Sequence, residues 1–447
     1  MKSLTNVIIA GGNAEASNAR VEKLSAAGFA GLAVSSGQDV QEFVTNRQPD
    51  LVLIESAFTD VDTFEMVRRL KSDVATQHVP VVMLNADNSP ALRIEGFESG
   101  LADMLLEGTP DDVVLARLVP LVRLSTMHAE CVRRAATASE FDVPIDITGI
   151  NNVGTENCRV LLIGNAGNSI DQISDILQAD EFNVSVENSH FSAGERLSKE
   201  IFDAAVIAVE KTHDIDNAYF LCAHIRNNAK LFNLPVLLVV GHQGVLASDL
   251  PYRQGASAAV PLGGDLKDLS ISLKFLVRRQ RLRWNLHAPI SATLAPNSAD
   301  SLNALYSNNF LRSHLGRLLD RSNKRRRNMS LAIFSLQNLG NTDDMYGPGT
   351  SDVLLRHAAD WVSGLIRVED VAARLGPIEI CAVFPDTEEL DARQATDRIA
   401  GVLHHSEIPL GSGRNATTRI WTQSGIATTS PDDSVDSLIA RARSNLS

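Results

Sequence analysis

The chain lacks any Cys-x-x-Cys pair. Its four cysteines, Cys131, Cys158, Cys222 and Cys381, are scattered along 447 residues. That excludes a disulfide framework and a cysteine-built zinc site, and it suits a reducing compartment. A run of eighteen apolar residues is also missing, so no transmembrane helix is expected. The first apolar run, Val7 to Ala10, is too short for a signal peptide. Positive charge is scarce: 41 basic residues face 54 acidic ones, a formal net charge of −13. A general nucleic-acid role is therefore disfavoured. The adjacent pair His404-His405 reads as solvated polar residues, and no metal is expected. What is present is ordinary globular material, 44% apolar, long enough for two to four domains.

The first third alternates short apolar runs with helical spacing. Thr5 to Ala10, Leu51 to Ile54, Val79 to Leu84 and Met104 to Leu106 read as strands. Ala14 to Ala27 is helical and stops at Gly28. Thr109-Pro110-Asp111-Asp112 opens another helix with early acids. Such alternation predicts a parallel sheet covered on both faces. The phrases at Pro49 to Ile54, Phe64 to Leu70 and Val79 to Leu84 resemble response-regulator receiver domains. In that family an acid pair, an acceptor Asp, a Thr or Ser and a Lys handle the phosphoryl group. At those positions stand Gly11 and Gly12, Glu55, Asn85 and Glu107. Magnesium needs clustered oxygen ligands, so no phosphorylation is expected. Glu55 is then either a fixed imitation of phosphoryl charge or, as the sequence favours, a solvated acid.

The pattern repeats. Arg159 to Ile163, Phe202 to Ala208, Leu234 to Val240 and Gln254 to Val260 resemble a second receiver, with Ala208 at the acceptor and Leu262 at the Lys position. A repeat of this length marks tandem domains. Between the units, Leu115 to Ala136 reads as the first unit's last helix running on into a connector. Residues 284–298, with two Pro and several Ala and Ser, read as a linker.

The last third holds the most specific stretch, Arg367-Val-Glu-Asp370 followed by Gly376-Pro377-Ile378-Glu379 and the strand Ile380 to Phe384. It resembles the signature hairpin of GGDEF domains, the diguanylate cyclase family. The resemblance implies an inhibitory-type cyclic di-GMP site made by Arg367, Asp370 and Arg398. It also places Ser335 and Ile378 where metal-binding acids stand, and Pro377 where a glycine lets backbone approach the nucleotide. On that ground no catalytic residue and no enzymatic activity are expected. Asp343 and Asp352 stand at guanine-contacting positions, and the family's basic residue in the last helix is missing. The basic run Lys324 to Arg327 reads as a solvated helix end.

The expected fold is thus α/β throughout: two flavodoxin-like (CheY-like) receivers over residues 1–140 and 157–283, then a nucleotidyl cyclase-like GGDEF domain with a central antiparallel or mixed sheet over residues 299–447. This order is similar to PleD-like response regulators. The resemblance implies a cytoplasmic cyclic di-GMP effector at a cell pole, acting in cell-cycle control as a homodimer, without nucleic acid or membrane insertion. It further implies delivery of substrates such as the regulator CtrA to the ClpXP protease through the adaptor RcdA. A weakly active diguanylate cyclase is the alternative. A dinucleotide-binding oxidoreductase is disfavoured, because neither Gly11-Gly12 nor Gly164 to Gly167 completes Gly-x-Gly-x-x-Gly.

Overall fold

The structure is a computed structural model. It describes residues 5–55, 58–87, 89–211, 214–228, 230–241, 243–246, 248–264, 266–302, 304–325, 327–410 and 417–447. Arg326 of the basic run lies outside the described residues. The chain divides into two compact units, residues 5–125 with 149–285, and residues 126–148 with 286–447.

The first unit begins with β1 (Thr5–Ala10), α1 (Ala14–Ala26), β2 (Phe29–Val34), α2 (Gly37–Arg47), β3 (Leu51–Ile54), α3 (Thr63–Ser72), β4 (Val81–Ala86), α4 (Pro90–Ser99), β5 (Asp103–Leu106) and the long α5 (Asp111–Ser139). The strands are parallel in the order β2-β1-β3-β4-β5. Helices cover both faces, so every residue of β3 is buried. Asn13 caps α1, its side chain accepting from the Glu15 and Ala16 amides. Gly100, at φ +98°, ends α4 where a Cβ would be strained.

A second sheet repeats the design with β6 (Arg159–Ile163), α6 (Asn168–Ala179), β7 (Asn183–Glu187), α7 (His190–Lys199), β8 (Ala204–Val209), α8 (Ile215–Asn227), β9 (Val236–Val240), α9 (Gln243–Leu246), α10 (Leu250–Arg253), β10 (Ala258–Pro261) and α11 (Leu266–Ala292). Its order is β10-β9-β8-β6-β7, the same topology. The fourth helix is reduced to the two short turns α9 and α10. Residues 284–292, expected to be linker, continue α11 instead, because Trp284 to Ala292 keep apolar positions such as Leu286 and Ile290 that bury fully.

The two receivers share a core. On α11, Leu269, Leu273, Leu276 and Val277 pack on their own sheet, while Ile271 and Phe275 join the first receiver's core beside Met104. Phe97 of α4 meets Phe275 edge-on at 5.3 Å. Arg93 Nη2 donates to Ser272 Oγ at 2.8 Å, and Arg278 Nη1 donates to the Phe97 carbonyl at 2.8 Å. The face of α4, β5 and α5 is therefore occupied within the chain along α4.

The second unit contains α12 (Asn308–Arg325), β11 (Ser330–Leu336), α13 (Leu339–Tyr346), α14 (Thr350–Leu365), β12 (Val371–Arg374), β13 (Glu379–Phe384), α15 (Glu389–His405), the short pair β14 (Ile408–Pro409) and β15 (Thr417–Thr418), β16 (Thr422–Thr428) and α16 (Val435–Ser444). The main sheet is antiparallel in the order β12-β13-β11-β16. Period-2 alternation splits β11 between two cores. Ala332, Phe334 and Leu336 face α14 and α15, and Leu331 and Ile333 face α12 and α16. Ala138 and Val143, from the end of α5 and beyond, join the second core. Gly425 lets α16 lie directly on β16, since a Cβ there would come within 2.3 Å of the Ala442 carbonyl oxygen. The α/β class and the separate sheet of the last third are as the sequence reading has them. His404 and His405 are exposed, as expected, on the last turn of α15.

Candidate functional site

The turn between β12 and β13 brings three of the singled-out positions together. Ser335 of β11 is directly opposite Glu379 of β13. The Leu375 amide donates to the Glu379 carbonyl at 2.9 Å, and the Leu336 amide to the Ile378 carbonyl at 2.8 Å. Pro377, which has no N–H to offer, occupies the turn. Ser335 is buried, its Oγ accepting from Gln337 Nε2 at 2.8 Å. Ile378 packs against the core. Glu379 is gripped by a two-pronged Arg443, with Nε at 2.9 Å and Nη2 at 2.6 Å. Arg443, on α16, was missed by the sequence reading, which took the last helix to lack a basic residue for this site. Sixty-four residues separate the pair, so no local spacing could reveal it. A divalent cation, which the GGDEF family implies, wants several hard oxygens. One carboxylate already committed to Arg443 does not fit it, and among the described residues no group of three or more His, Cys, Asp or Glu gathers to hold a metal. Asp343 accepts from the Ser351 amide and Oγ, both at 2.8 Å, and so fastens the start of α14.

The turn after α14 holds the second constellation. Arg367 is exposed and Asp370 is buried. The Arg367 amide donates to Asp370 Oδ2 at 2.8 Å, and the Asp370 amide returns to the Arg367 carbonyl at 3.1 Å. Arg398 of α15 donates to the Leu365 carbonyl at 3.0 Å, which places it two residues from Arg367 along the chain it touches. Burial, with the neighbouring Glu369 charge, pushes the Asp370 carboxyl up to about 7 against the opposing pull of Arg367.

A further arginine holds this turn, and sequence reasoning did not assign it a role. Arg134, on the last turns of α5, donates to the carbonyls of Val368 (3.2 Å), Glu369 (2.8 Å) and Asp370 (3.1 Å). Its Nε bonds the fully buried Glu130 at 3.0 Å, and Glu130 lies 2.7 Å from His314 Nε2. Burial acts to raise the Glu130 carboxyl, but His314, Arg134 and Arg133 outweigh it and hold the group well below the usual range.

In the first receiver, Glu55 is not the solvated acid expected. It is buried, with Arg20 Nε at 3.0 Å and Nη2 at 3.3 Å and Asn85 Nδ2 at 2.8 Å. Arg20 also reaches Asp111 at 2.7 Å. The helix face of α1 supplies the cation that the Lys position, now the exposed Glu107, does not. In the second receiver, Ala208 is buried, and neither it nor Leu262 has a side chain able to accept or steady a phosphoryl group.

Residues 297–447 match the family described as diguanylate cyclase, GGDEF domain. The chain is 25% identical over 403 residues to the response regulator PleD of Caulobacter vibrioides, spanning 88% of this chain and 86% of that protein. It is 27% identical over 127 residues to the phosphate regulon regulator PhoB of Pseudomonas aeruginosa, 28% of this chain and 51% of that one. Among solved structures, the GGDEF domain of DgcB from Caulobacter crescentus, in complex with c-di-GMP, aligns over 34% of this chain and 85% of its own, at 21% identity and a TM-score of 0.32. The chain is thus similar to PleD-like response regulators, with receiver-like sheets in its first part and a match to the GGDEF domain family over residues 297–447. The expectation that it is no enzyme is overturned by the match at residues 297–447 and by the likeness to PleD, which point to the diguanylate cyclase family.

Proposed function

We propose that this response regulator binds cyclic di-GMP at the turn of Arg367 and Asp370, with Arg398 as the second cation. The observation that supports the reading is the Arg398 bond to the Leu365 carbonyl, which holds that guanidinium at the end of the helix that leads into the Arg367–Asp370 turn. Arg367 offers a planar fork to a guanine edge or phosphate oxygens, and Asp370 accepts from guanine N1 and N2. The likeness to PleD supports a signalling context. Isothermal titration with cyclic di-GMP tests the reading: saturable binding by the wild-type chain and its loss in Arg367→Ala are expected, and equal binding by both overturns it.

A finer role rests on resemblance to PopA: a cytoplasmic, polar, homodimeric scaffold that helps bring substrates such as CtrA to ClpXP through RcdA. A pull-down of RcdA with and without cyclic di-GMP tests that step, and ligand-independent or absent capture removes it. Cyclase activity is a second reading, favoured by the family match at residues 297–447. In it Glu379 is the one acid the hairpin presents. Chromatography of products from Mg-GTP tests it, with turnover expected to vanish in Glu379→Gln and turnover unchanged in that variant counting against the assignment.

A further inference from the structure

We propose that the cavity between the two receivers binds a small phosphorylated compound of about mononucleotide size. The cavity measures about 380 Å³, at the lower end of the range for small-molecule sites. Lys71, His78, Arg278 and Arg279 line it, and among the described residues no Asp or Glu does. Four basic side chains converging on one hollow without an acid between them form a site complementary to an anion.

Two of these cations are fixed in place by neutral oxygens. Lys71 Nζ donates to the Gln77 carbonyl at 3.1 Å and the Val79 carbonyl at 2.6 Å. Arg278 donates to the carbonyls of Phe97 and Leu101. Arg279 differs: among the described residues its guanidinium makes no hydrogen bond or ion pair. Desolvation lowers all three groups, Lys71 to about 7 with Arg278 adding repulsion, and Arg278 and Arg279 each to about 10. Asp103, which is not part of the lining, opposes this at Arg278 and Arg279, and a bound anion would add counter-charge inside the hollow itself.

The rest of the lining favours more than a bare phosphate. Phe275, Leu282 and Leu124 give apolar walls, and Asn151 and Asn152 bring amide groups. Such a wall suits a flat organic body, with the phosphate directed to the free fork of Arg279. All these residues belong to one compact unit. The site is separate from the Arg367 turn and from the phosphoryl-acceptor position at Glu55.

Hydrogen exchange of the full chain tests the proposal, with GMP and inorganic phosphate as separate probes. GMP should slow exchange in peptides covering residues 71–80 and 149–153, and Arg279→Met should require roughly tenfold or more GMP for the same protection. Arg279→Lys keeps the charge and should retain most of the effect, which separates lost binding from a damaged fold. Unchanged exchange at these peptides with GMP overturns the proposal, as does equal protection in Arg279→Met. Protection by inorganic phosphate at the same concentration as GMP overturns the assignment of ligand size.

Discussion

At the level of single residues, the Arg367 turn separates binding from stability. Arg367 is exposed, so its loss should leave folding nearly unchanged. Its fork, however, is the charge-assisted donor of the proposed ligand site. Arg367→Ala should cost about 1.5–3 kcal/mol of cyclic di-GMP binding, roughly ten- to a hundredfold in affinity, with an unaltered melting temperature. Titration calorimetry and a thermal melt read the two quantities independently. Asp370 adds a pH dependence. Its folded pKa lies near 7, above the ordinary value of 3.8. The carboxyl therefore favours the fold most in its protonated form. That contribution is complete below the ordinary value and is lost as pH rises through about 7. Guanine donors need the ionised form, so ligand affinity should change in the opposite sense, rising across the same interval. Asp370→Asn should flatten both profiles; a steep affinity rise that survives in the variant would assign the titration to another group. Arg367 and Asp370, the residues of the proposed ligand site, could be singled out in sequence because Arg-x-x-Asp at a fixed distance from a hairpin is a local pattern. Arg134 and Arg443 were not, because each meets its partner across a long stretch of chain, 234 or more residues for Arg134 and 64 for Arg443.

At the level of elements, α5 does two jobs. Its start covers the first receiver's sheet through Val114, Leu118 and Leu121. Its end carries Glu130 and Arg134, buried against His314 of α12, and Arg134 fixes the turn at Val368 to Asp370 by its backbone carbonyls. The sequence showed the helix running on past the first receiver but gave its arginines no task, since helical periodicity reports which face is apolar and not what a charged group on that face meets. A buried charge network is costly to break from one side. Glu130→Ala leaves Arg134, Arg133 and His314 without their shared carboxylate, and about 3–5 kcal/mol of stability should be lost. Denaturant titration checks the magnitude. Hydrogen exchange checks the location, with faster exchange expected at residues 367–371. Destabilisation without any change at those amides would mean that the network supports α5 and α12 alone and does not hold the ligand turn.

At the scale of the whole chain, the topology of each receiver was readable and their union was not. Buried parallel strands announce themselves as apolar runs, and two similar sets of them predict two similar sheets. A shared core leaves no such mark. Ile271 and Phe275 of α11 look, in sequence, like further core positions of the second receiver, yet they bury in the first. The cause is a helix with two apolar faces, one for each sheet. The union bears directly on function, because the α4 side of the first receiver is spent inside the chain and cannot also serve as a free pairing surface. The same union makes the second receiver a structural support for the first, even though its acceptor position is Ala208. Phe275→Ala should therefore destabilise the receiver it does not belong to. Removing a buried Phe costs about 3–5 kcal/mol, and the loss should appear as faster hydrogen exchange in α4 and β5 of the first receiver as well as in α11. Exchange that rises in α11 while α4 and β5 keep their protection would show that the first receiver closes its core without help, and the α4 face would again be open to an outside partner.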